Sequence, residues 1–388
     1  MNNRALSGNR IKLLESGAEY FPALLEAIQS ARHEVLLETY IFEHDSAGIL
    51  ISEALRAAAL RGVTVRVMVD GFGARSFADV TMPEMAADGV GVFIYRREVR
   101  PFSLGRNRLR RLHRKLVVVD GRVAFVGGIN IIDDMDTPGQ TPPRVDFAVR
   151  VEGPLVVRVH SAMAHLWRIV SWASFKRRLA PMHWVNPVRT RVGSVRANFL
   201  VRDNLGHRRD IENAYMQAVA GAQREVLIAN AYFFPGRAFR HALVDAAGRG
   251  VKVTLLLQGR VEYWLLFHAC RVLYPYLLGA GVRIVEYRKS FLHAKVAVVD
   301  EDWATVGSSN IDPFSLLLAR EANVLIHDQA FTATLRASLE RVITDGGVEL
   351  TLEGWQKQTL WMRGISWFAY GTVRVAIGLA GYGGRQSL

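Results

Sequence analysis

The sequence predicts an α/β protein made of two similar halves, and two observations lead to this. First, short apolar runs typical of strands alternate along the chain with segments of helical spacing. Second, passages of the first half return in the second: EVLLETYIF at 34 returns as EVLIANAYF at 225, and RGVTVRVMVDG at 61 as RGVKVTLLLQG at 249. A period this long indicates a duplicated domain rather than a solenoid, and 388 residues suit two domains.

Taken in order, the chain opens with an amphipathic helix over 19–31, and the strand at 34 follows it. The expected divisions are an N-terminal domain over 1–175, a linker over 176–200, a C-terminal domain over 201–350 and an apolar tail over 351–388. Two closely spaced prolines, Pro181 and Pro187, argue against a continuous regular element in the linker. In the tail, packing against the core competes with a position at a membrane interface.

One motif occurs twice with identical spacing, HxKxxxxD followed by G-[G/S]-x-N. The first copy places Gly128 where the second has Ser308. The members predicted to form the site are, in chain order, His113, Lys115, Asp120, Asn130, His293, Lys295, Asp300, Ser308 and Asn310.

The residue types in this motif suit a phosphodiester. Histidine and lysine at i and i+2 of a strand point to the same side. The lysine neutralises phosphate oxygens, while the histidine attacks phosphorus or donates a proton. Exchange at phosphorus needs one histidine for each task, and the two copies supply both. Asn130, Asn310 and Ser308 are predicted to bind the phosphate, whereas Asp120 and Asp300 complete the catalytic set as supports at strand ends.

The doubled motif resembles the phospholipase D superfamily, and the second copy with its continuation, GSSNIDPFSLLLAREANVLIHD, is similar to bacterial cardiolipin synthases of the B type. This resemblance implies two α/β/α domains packed face to face around a single shared active site, a phosphatidyl-histidine intermediate on His113, and no metal or other cofactor. It also implies that Asp146 orients His113 and that Glu321 orients His293. Ion pairing of these carboxylates with Arg144 and Arg320 is the structural alternative.

The implied reaction joins two phosphatidylglycerol molecules into cardiolipin and glycerol. A phospholipase D-type hydrolase and a phosphodiester nuclease of the same superfamily are the enzymatic alternatives, and a binding module with a decayed site is the non-enzymatic one. The sequence contains no HExxH, cysteine cluster or GxSxG, which argues against a zinc protease or a serine hydrolase.

A net charge of +13 predicts anionic partners, either phospholipid headgroups or nucleic acid. The basic stretch over 96–115 fits both, but the apolar, tryptophan-bearing tail favours lipid, so phosphatidylglycerol, phosphatidylethanolamine as its alternative, and a membrane surface are the expected partners. A single cysteine, Cys270, indicates a reducing compartment. The chain shows no signal peptide, and a peripheral position on the cytoplasmic side of the inner membrane is expected.

Overall fold

The computed structural model describes residues 4–74, 76–96, 111–137, 139–173, 184–203, 206–261, 263–312, 319–357 and 359–377. Within these ranges, the first half contains seven strands and four α-helices. In chain order they are β1 Leu6–Glu15, α1 Ser16–Ser30, β2 Glu34–Thr39, α2 Ser46–Leu60, β3 Thr64–Asp70, α3 Met82–Ala87 after a π turn at Phe77–Thr81, β4 Gly91–Tyr95, β5 Lys115–Val119, β6 Val123–Gly127, β7 Phe147–Glu152 and α4 Val156–Ala173.

The second half repeats the order of strands. Its elements are β8 Val195–Arg202, α5 Asp210–Gly221, β9 Glu225–Asn230, α6 Arg237–Gly248, β10 Lys252–Gln258, α7 Trp264–Arg271, α8 Tyr274–Gly279, β11 Arg283–Tyr287, β12 Lys295–Val299, β13 Trp303–Gly307, β14 Glu321–His327 and α9 Gln329–Gly346. The chain continues with β15 Gly347–Leu350, α10 Leu352–Gln356 and α11 Leu360–Ile377.

All the strands belong to one sheet, which runs β15-β11-β10-β9-β12-β13-β14-β8 and then β1-β7-β6-β5-β2-β3-β4. The two halves therefore have the same internal order, and an antiparallel contact between β1 and β8 joins them. Strands β2, β3 and β4 are parallel to one another, and so are β9, β10 and β11. The strand that carries the motif, β5 or β12, lies antiparallel to β2 or β9. The duplication seen in the sequence is thus a duplication of topology.

The halves pack on each other through a common core, because β6 and β7 face β13 and β14. Val126 and Val149 from one half share a buried cluster with Val306 and Val324 from the other, and side chains of α4 and α9 complete it. Separate buried clusters lie under α1 and α2 on one outer side and under α5 and α6 on the other. The prediction of two α/β/α domains packed face to face is confirmed.

The expected boundary between the linker and the C-terminal domain does not coincide with the start of a strand. Strand β8 begins at Val195, inside the segment expected to be linker, because its backbone pairs with β1 and β14. Linker residues 176–183 and tail residues 378–388 lie outside the described residues. Across the described ranges, we find no helix with the length and apolarity needed to cross a membrane.

Candidate active site

The two motif strands place their histidines and lysines in the same way. Lys115 begins β5 and Lys295 begins β12, and each histidine lies two residues before its lysine. Both lysine side chains are buried. Lys115 Nζ donates to the carbonyl oxygen of His113 at 2.7 Å, and Lys295 Nζ donates to that of His293. Each lysine is thereby fixed beside its own histidine.

Short backbone bridges connect each histidine segment to the opposite half. His113 N donates to Arg320 O at 3.0 Å, and His293 N donates to Val145 O at 2.8 Å. Isolated bridges pair Leu112 with Arg320 and Val145 with Leu292. As a result, each histidine lies next to the segment that begins the last strand of the other half.

Because of these bridges, each histidine pairs with a carboxylate from the opposite half. This corrects the assignment made from the sequence. Asp146 Oδ2 accepts from Nδ1 of His293 at 2.6 Å, and Glu321 lies 3.0 Å from Nδ1 of His113. Asp146 was expected to hold His113, and Glu321 was expected to hold His293. The expected pairing is wrong because the nearest carboxylate in space comes from across the contact between the halves. The alternative ion pairs with Arg144 and Arg320 are not the contacts that hold these two carboxylates.

The surroundings of both imidazoles favour the neutral form of the ring. Burial, together with the charges of both lysines, lowers the pKa of His293 to about 3, although Asp146 opposes the shift. Burial also lowers the pKa of His113, and Glu321 partly offsets this. Burial alone would raise the pKa of Asp146, but Lys295 and His293 bring it below its ordinary value.

Burial lowers the pKa of Lys115 to about 7, while Glu321 works in the opposite direction. The charge of Lys295 contributes to this lowering. A nearby anion would oppose the lowering, because it would stabilise the protonated form of Lys115. The two buried lysines therefore make the site suited to binding a negatively charged group.

The three residues predicted to bind phosphate, Asn130, Asn310 and Ser308, differ in their hydrogen-bond partners. Asn130 Oδ1 accepts from Ile41 N at 3.1 Å, which leaves the amide nitrogen as the donor end. Ser308 Oγ instead donates to Glu321 Oε2 at 2.5 Å and accepts from Ala322 N at 3.1 Å. These buried contacts place the Ser308 hydroxyl as a support for Glu321, and its expected contact with phosphate stays a prediction. Asn310 is buried after β13, as Asn130 is after β6.

The motif aspartates lie away from the histidines. Asp120 accepts hydrogen bonds from the backbone N–H groups of residues 32, 33 and 34, and Asp300 accepts from those of 223, 224 and 225. Both follow a motif strand whose five residues, at about 3.3 Å per residue, put them roughly 16 Å from the lysines. These contacts agree with the expected role of both aspartates as supports, and their membership of the catalytic set stays a prediction.

Tyr40 is a residue near the site that the sequence reasoning missed. Its ring centroid lies 4.8 Å from that of His113, and Lys115 Nζ lies 5.3 Å from it. Tyr40 directly follows β2, whose last residues lie beside the start of β5. Its position directly after the strand that pairs with the motif strand could have indicated that Tyr40 lies near His113. The corresponding residue after β9 is Ala231, so the second half has no aromatic side chain at this position.

The basic stretch over 96–115 is outside the described residues from 97 to 110. Among the residues that are described, no three or more histidine, cysteine or carboxylate side chains form a group able to hold a metal ion.

Comparison with known proteins identifies relatives along most of the chain. The family described as "Cardiolipin synthase, PLD-like domain" matches residues 24–135 and 215–343. Cardiolipin synthase B of Shigella flexneri is 42% identical over 354 residues, covering 91% of this chain and 85% of the relative. The Escherichia coli K12 protein of the same name is 41% identical over the same span. A crystal structure of phosphatidylserine synthase from Haemophilus influenzae Rd KW20 superposes with a TM-score of 0.70 at 14% identity, covering 98% of this chain and 97% of the other.

Proposed function

Since the chain belongs to the family of cardiolipin synthases with a phospholipase D-like domain and is a phosphatidyltransferase, we propose that it converts two phosphatidylglycerol molecules into cardiolipin and glycerol. The observation that carries the proposal is the meeting of two His–Lys pairs in one buried site, each histidine held by a carboxylate of the opposite half. One histidine alone would have to serve as nucleophile and acid at the same time.

In the first step, Nε2 of His113 attacks the phosphorus of one phosphatidylglycerol. The hydrogen bond between Nδ1 and Glu321 supports this, because it leaves Nε2 as the reacting nitrogen and stabilises the positive charge that forms on the ring. The bond between phosphorus and the headgroup oxygen breaks, and His293 gives its proton to the departing glycerol. The product of this step is a phosphatidyl group attached to His113.

In the second step, the free hydroxyl of another phosphatidylglycerol gives its proton to His293. Its oxygen attacks phosphorus, and the bond between phosphorus and His113 breaks. One phosphodiester replaces another, so no nucleotide is consumed. Lys115, Lys295, Asn130 and Asn310 bind the non-bridging oxygens in this proposal, since these side chains supply charge and amide donors around the two histidines.

Binding of the substrate favours protonation of His293 by solvent, which prepares this residue to act as the acid. In the empty site the charges of both lysines help to lower the pKa of His293. A bound phosphodiester neutralises those charges, so the pKa of His293 rises when the substrate enters. The acid is then protonated where a leaving group is present, whereas the empty site keeps both imidazoles neutral.

The proposed place of action is the cytoplasmic face of the inner membrane, with the protein bound peripherally. A net charge of +13 supports attraction to a surface of anionic lipids, where each basic residue near the surface contributes about 1 kcal/mol. The one cysteine, Cys270, is free and buried, as suits a reducing compartment. Phosphatidylethanolamine is the alternative lipid to be tested as a donor.

The test incubates the purified full chain with phosphatidylglycerol vesicles, without nucleotide, and identifies the products by lipid mass analysis. His113→Ala and His293→Ala are run alongside. We expect cardiolipin and glycerol from the wild type and cardiolipin from neither variant. Phosphatidic acid without cardiolipin would replace the synthase with a hydrolase, and cleavage of nucleic acid without any lipid product would replace it with a nuclease.

A further inference from the structure

Helices α7 and α11 form a pair on the outside of the second half. Their contact buries Ala269 and Cys270 of α7 against Ala369 and Val373 of α11, together with Phe234. The buried side of α11 also contains Ser366. Several of these side chains are small, so the two helices lie close together, and Tyr370 is the large side chain of α11 that packs against them.

The large apolar side chains of the pair face outward. We call the surface formed by Tyr263, Trp264, Trp361, Trp367, Phe368 and Val375 the aromatic face. Trp361 is 77% exposed, Trp367 61% and Phe368 69%. Trp361, Phe368 and Val375 follow each other at intervals of seven residues and therefore share one side of α11. Usual amphipathicity is reversed in this helix, since the small residues are inside and the large apolar ones outside.

The chemistry of the aromatic face suits the interface of a lipid bilayer. Tryptophan and tyrosine are preferred at the level of the lipid headgroups, where one end of the ring is apolar and the other is hydrated. Helix α11 contains Arg363 and Arg374, whereas Arg271 of α7 is paired with Glu286, and neither helix contains an aspartate or glutamate. This charge complements anionic phospholipid, whereas an apolar interface between protein copies has no need of it.

Aromatic contacts connect this face to the catalytic strands. Lys295 pairs in register with Asn230 at the end of β9. Just after β9, the ring of Tyr232 lies 5.5 Å from that of Tyr263, and the ring of Phe234 lies 5.6 Å from that of Tyr370 on α11. A cavity under α7, lined by Tyr232, Tyr263 and Phe267, lies at the same place. The helix pair therefore contacts the residues that follow β9, next to the end of β9 where Lys295 begins β12.

We propose that the α7–α11 pair is the membrane-docking surface of this protein, with its aromatic face inserted at the headgroup level of a bilayer containing anionic phospholipid. The inference rests on the proposed function, because a lipid substrate is what the docking would deliver. The helices lie in the plane of the interface and hold the catalytic strands against the surface from which phosphatidylglycerol is taken.

The test compares the wild type with a triple variant, Trp361→Ser, Trp367→Ser and Phe368→Ser. All three side chains are largely exposed, so we expect the thermal unfolding temperature to stay close to that of the wild type. A matched control is Leu50→Ser with Leu60→Ser, two exposed apolar residues of α2 in the other half. Sedimentation with phosphatidylglycerol vesicles should show binding weakened at least tenfold in the triple variant and unchanged in the control.

Turnover separates the docking from the chemistry. The triple variant should lose activity on vesicles in proportion to its lost binding, but keep wild-type activity on a short-chain phosphatidylglycerol dissolved as monomers. Unchanged vesicle binding in the folded triple variant would overturn the proposal. A change from dimer to monomer with vesicle binding intact would overturn it too, since the face would then serve a second copy of the chain. Wild-type protein that binds vesicles but makes no lipid product would contradict the proposed function and leave the docking standing.

Discussion

Ser308 and Gly128 hold the same position in the two motif copies, and each suits the carboxylate beside it. The longer side chain of Glu321 receives a hydrogen bond from the Ser308 hydroxyl. At Gly128, an added Cβ would lie 2.3 Å from Asp146 Oδ1, so the shorter carboxylate occupies the space that a serine would need. The difference between the copies is therefore a matched pair of changes, glycine with aspartate and serine with glutamate.

The Ser308 hydroxyl should matter to catalysis through Glu321. A hydrogen bond to a charged group contributes about 1.5–3 kcal/mol, so we expect Ser308→Ala to lower kcat/KM roughly tenfold or more. Ser309→Ala is the control, because its hydroxyl contacts only a backbone carbonyl, that of Asn310, at 3.4 Å. Steady-state kinetics on monomeric short-chain phosphatidylglycerol measures both. Equal losses in the two variants would contradict a specific role for the contact with Glu321.

The pH dependence should reflect Lys115. Its pKa is lowered to about 7 by burial, so the free protein has the ammonium below that pH and loses it above. Since kcat/KM reports on the free enzyme, we expect loss of this proton to add a fall of about tenfold per pH unit on the alkaline side of 7. Lys115→Arg keeps its charge at every pH and should lack this alkaline fall, whatever its absolute rate. A wild-type profile that stays flat to pH 9 would contradict the role given to this cation.

At the scale of elements, the motif aspartates lock the start of one strand to the end of another. Asp120 and Asp300 have positive φ angles of 51° and 48°, and each receives three backbone N–H groups that lead into β2 or β9. The positive φ turns the side chain toward those donors. The central strands of both halves are thus fixed at the end opposite the histidines.

Removing one lock should cost stability rather than chemistry. Asp120→Ala loses the acceptor and leaves an alanine in a left-handed conformation, so we expect the free energy of unfolding to fall by roughly 2–4 kcal/mol. Asp120→Asn, which tolerates positive φ and keeps one acceptor oxygen, should lose less. Denaturant unfolding measures the loss, and Asp300→Ala should repeat it in the other half. A variant that unfolds like the wild type but is inactive when folded would keep Asp120 in the catalytic set.

The strands around the site could be predicted from the sequence, but their partners could not. Four consecutive apolar residues follow each motif lysine, LVVV and VAVV; such runs are typical of buried strands, and β5 and β12 lie there. The carboxylate pairing depends on backbone bridges between segments from different halves, such as Leu112 with Arg320. No local pattern encodes such a bridge. Assigning each carboxylate to the histidine of the nearest motif along the chain therefore led to the wrong pairs.

At the scale of the whole molecule, the crossed pairs make neither half complete. His113 depends on Glu321, and His293 depends on Asp146. The core between β6, β7, β13 and β14 holds these partners in place. The site is therefore a property of the contact between the halves, and its geometry is set by apolar packing that contains none of the reacting groups.

The crossing can be tested by nuclear magnetic resonance of the imidazole nitrogens. Asp146→Asn removes the carboxylate charge but keeps a similar shape, so we expect it to shift the nitrogen signals and the titration of His293 much more than those of His113. Glu321→Gln should do the reverse. Assignment of each imidazole by His113→Gln and His293→Gln completes the measurement. If Asp146→Asn perturbed His113 more strongly, the pairing would follow the chain order instead.

The two equivalent halves, which β1 and β8 join, belong to one chain. This affects which substitutions the two histidine sites can accumulate independently. In a dimer of identical chains related by a twofold axis, every substitution near the axis appears twice, so both histidines would keep the same surroundings. Fusion into one chain ends that obligation. Tyr40 can then stand opposite Ala231, and the two histidines can specialise, one for bonding to phosphorus and one for moving protons.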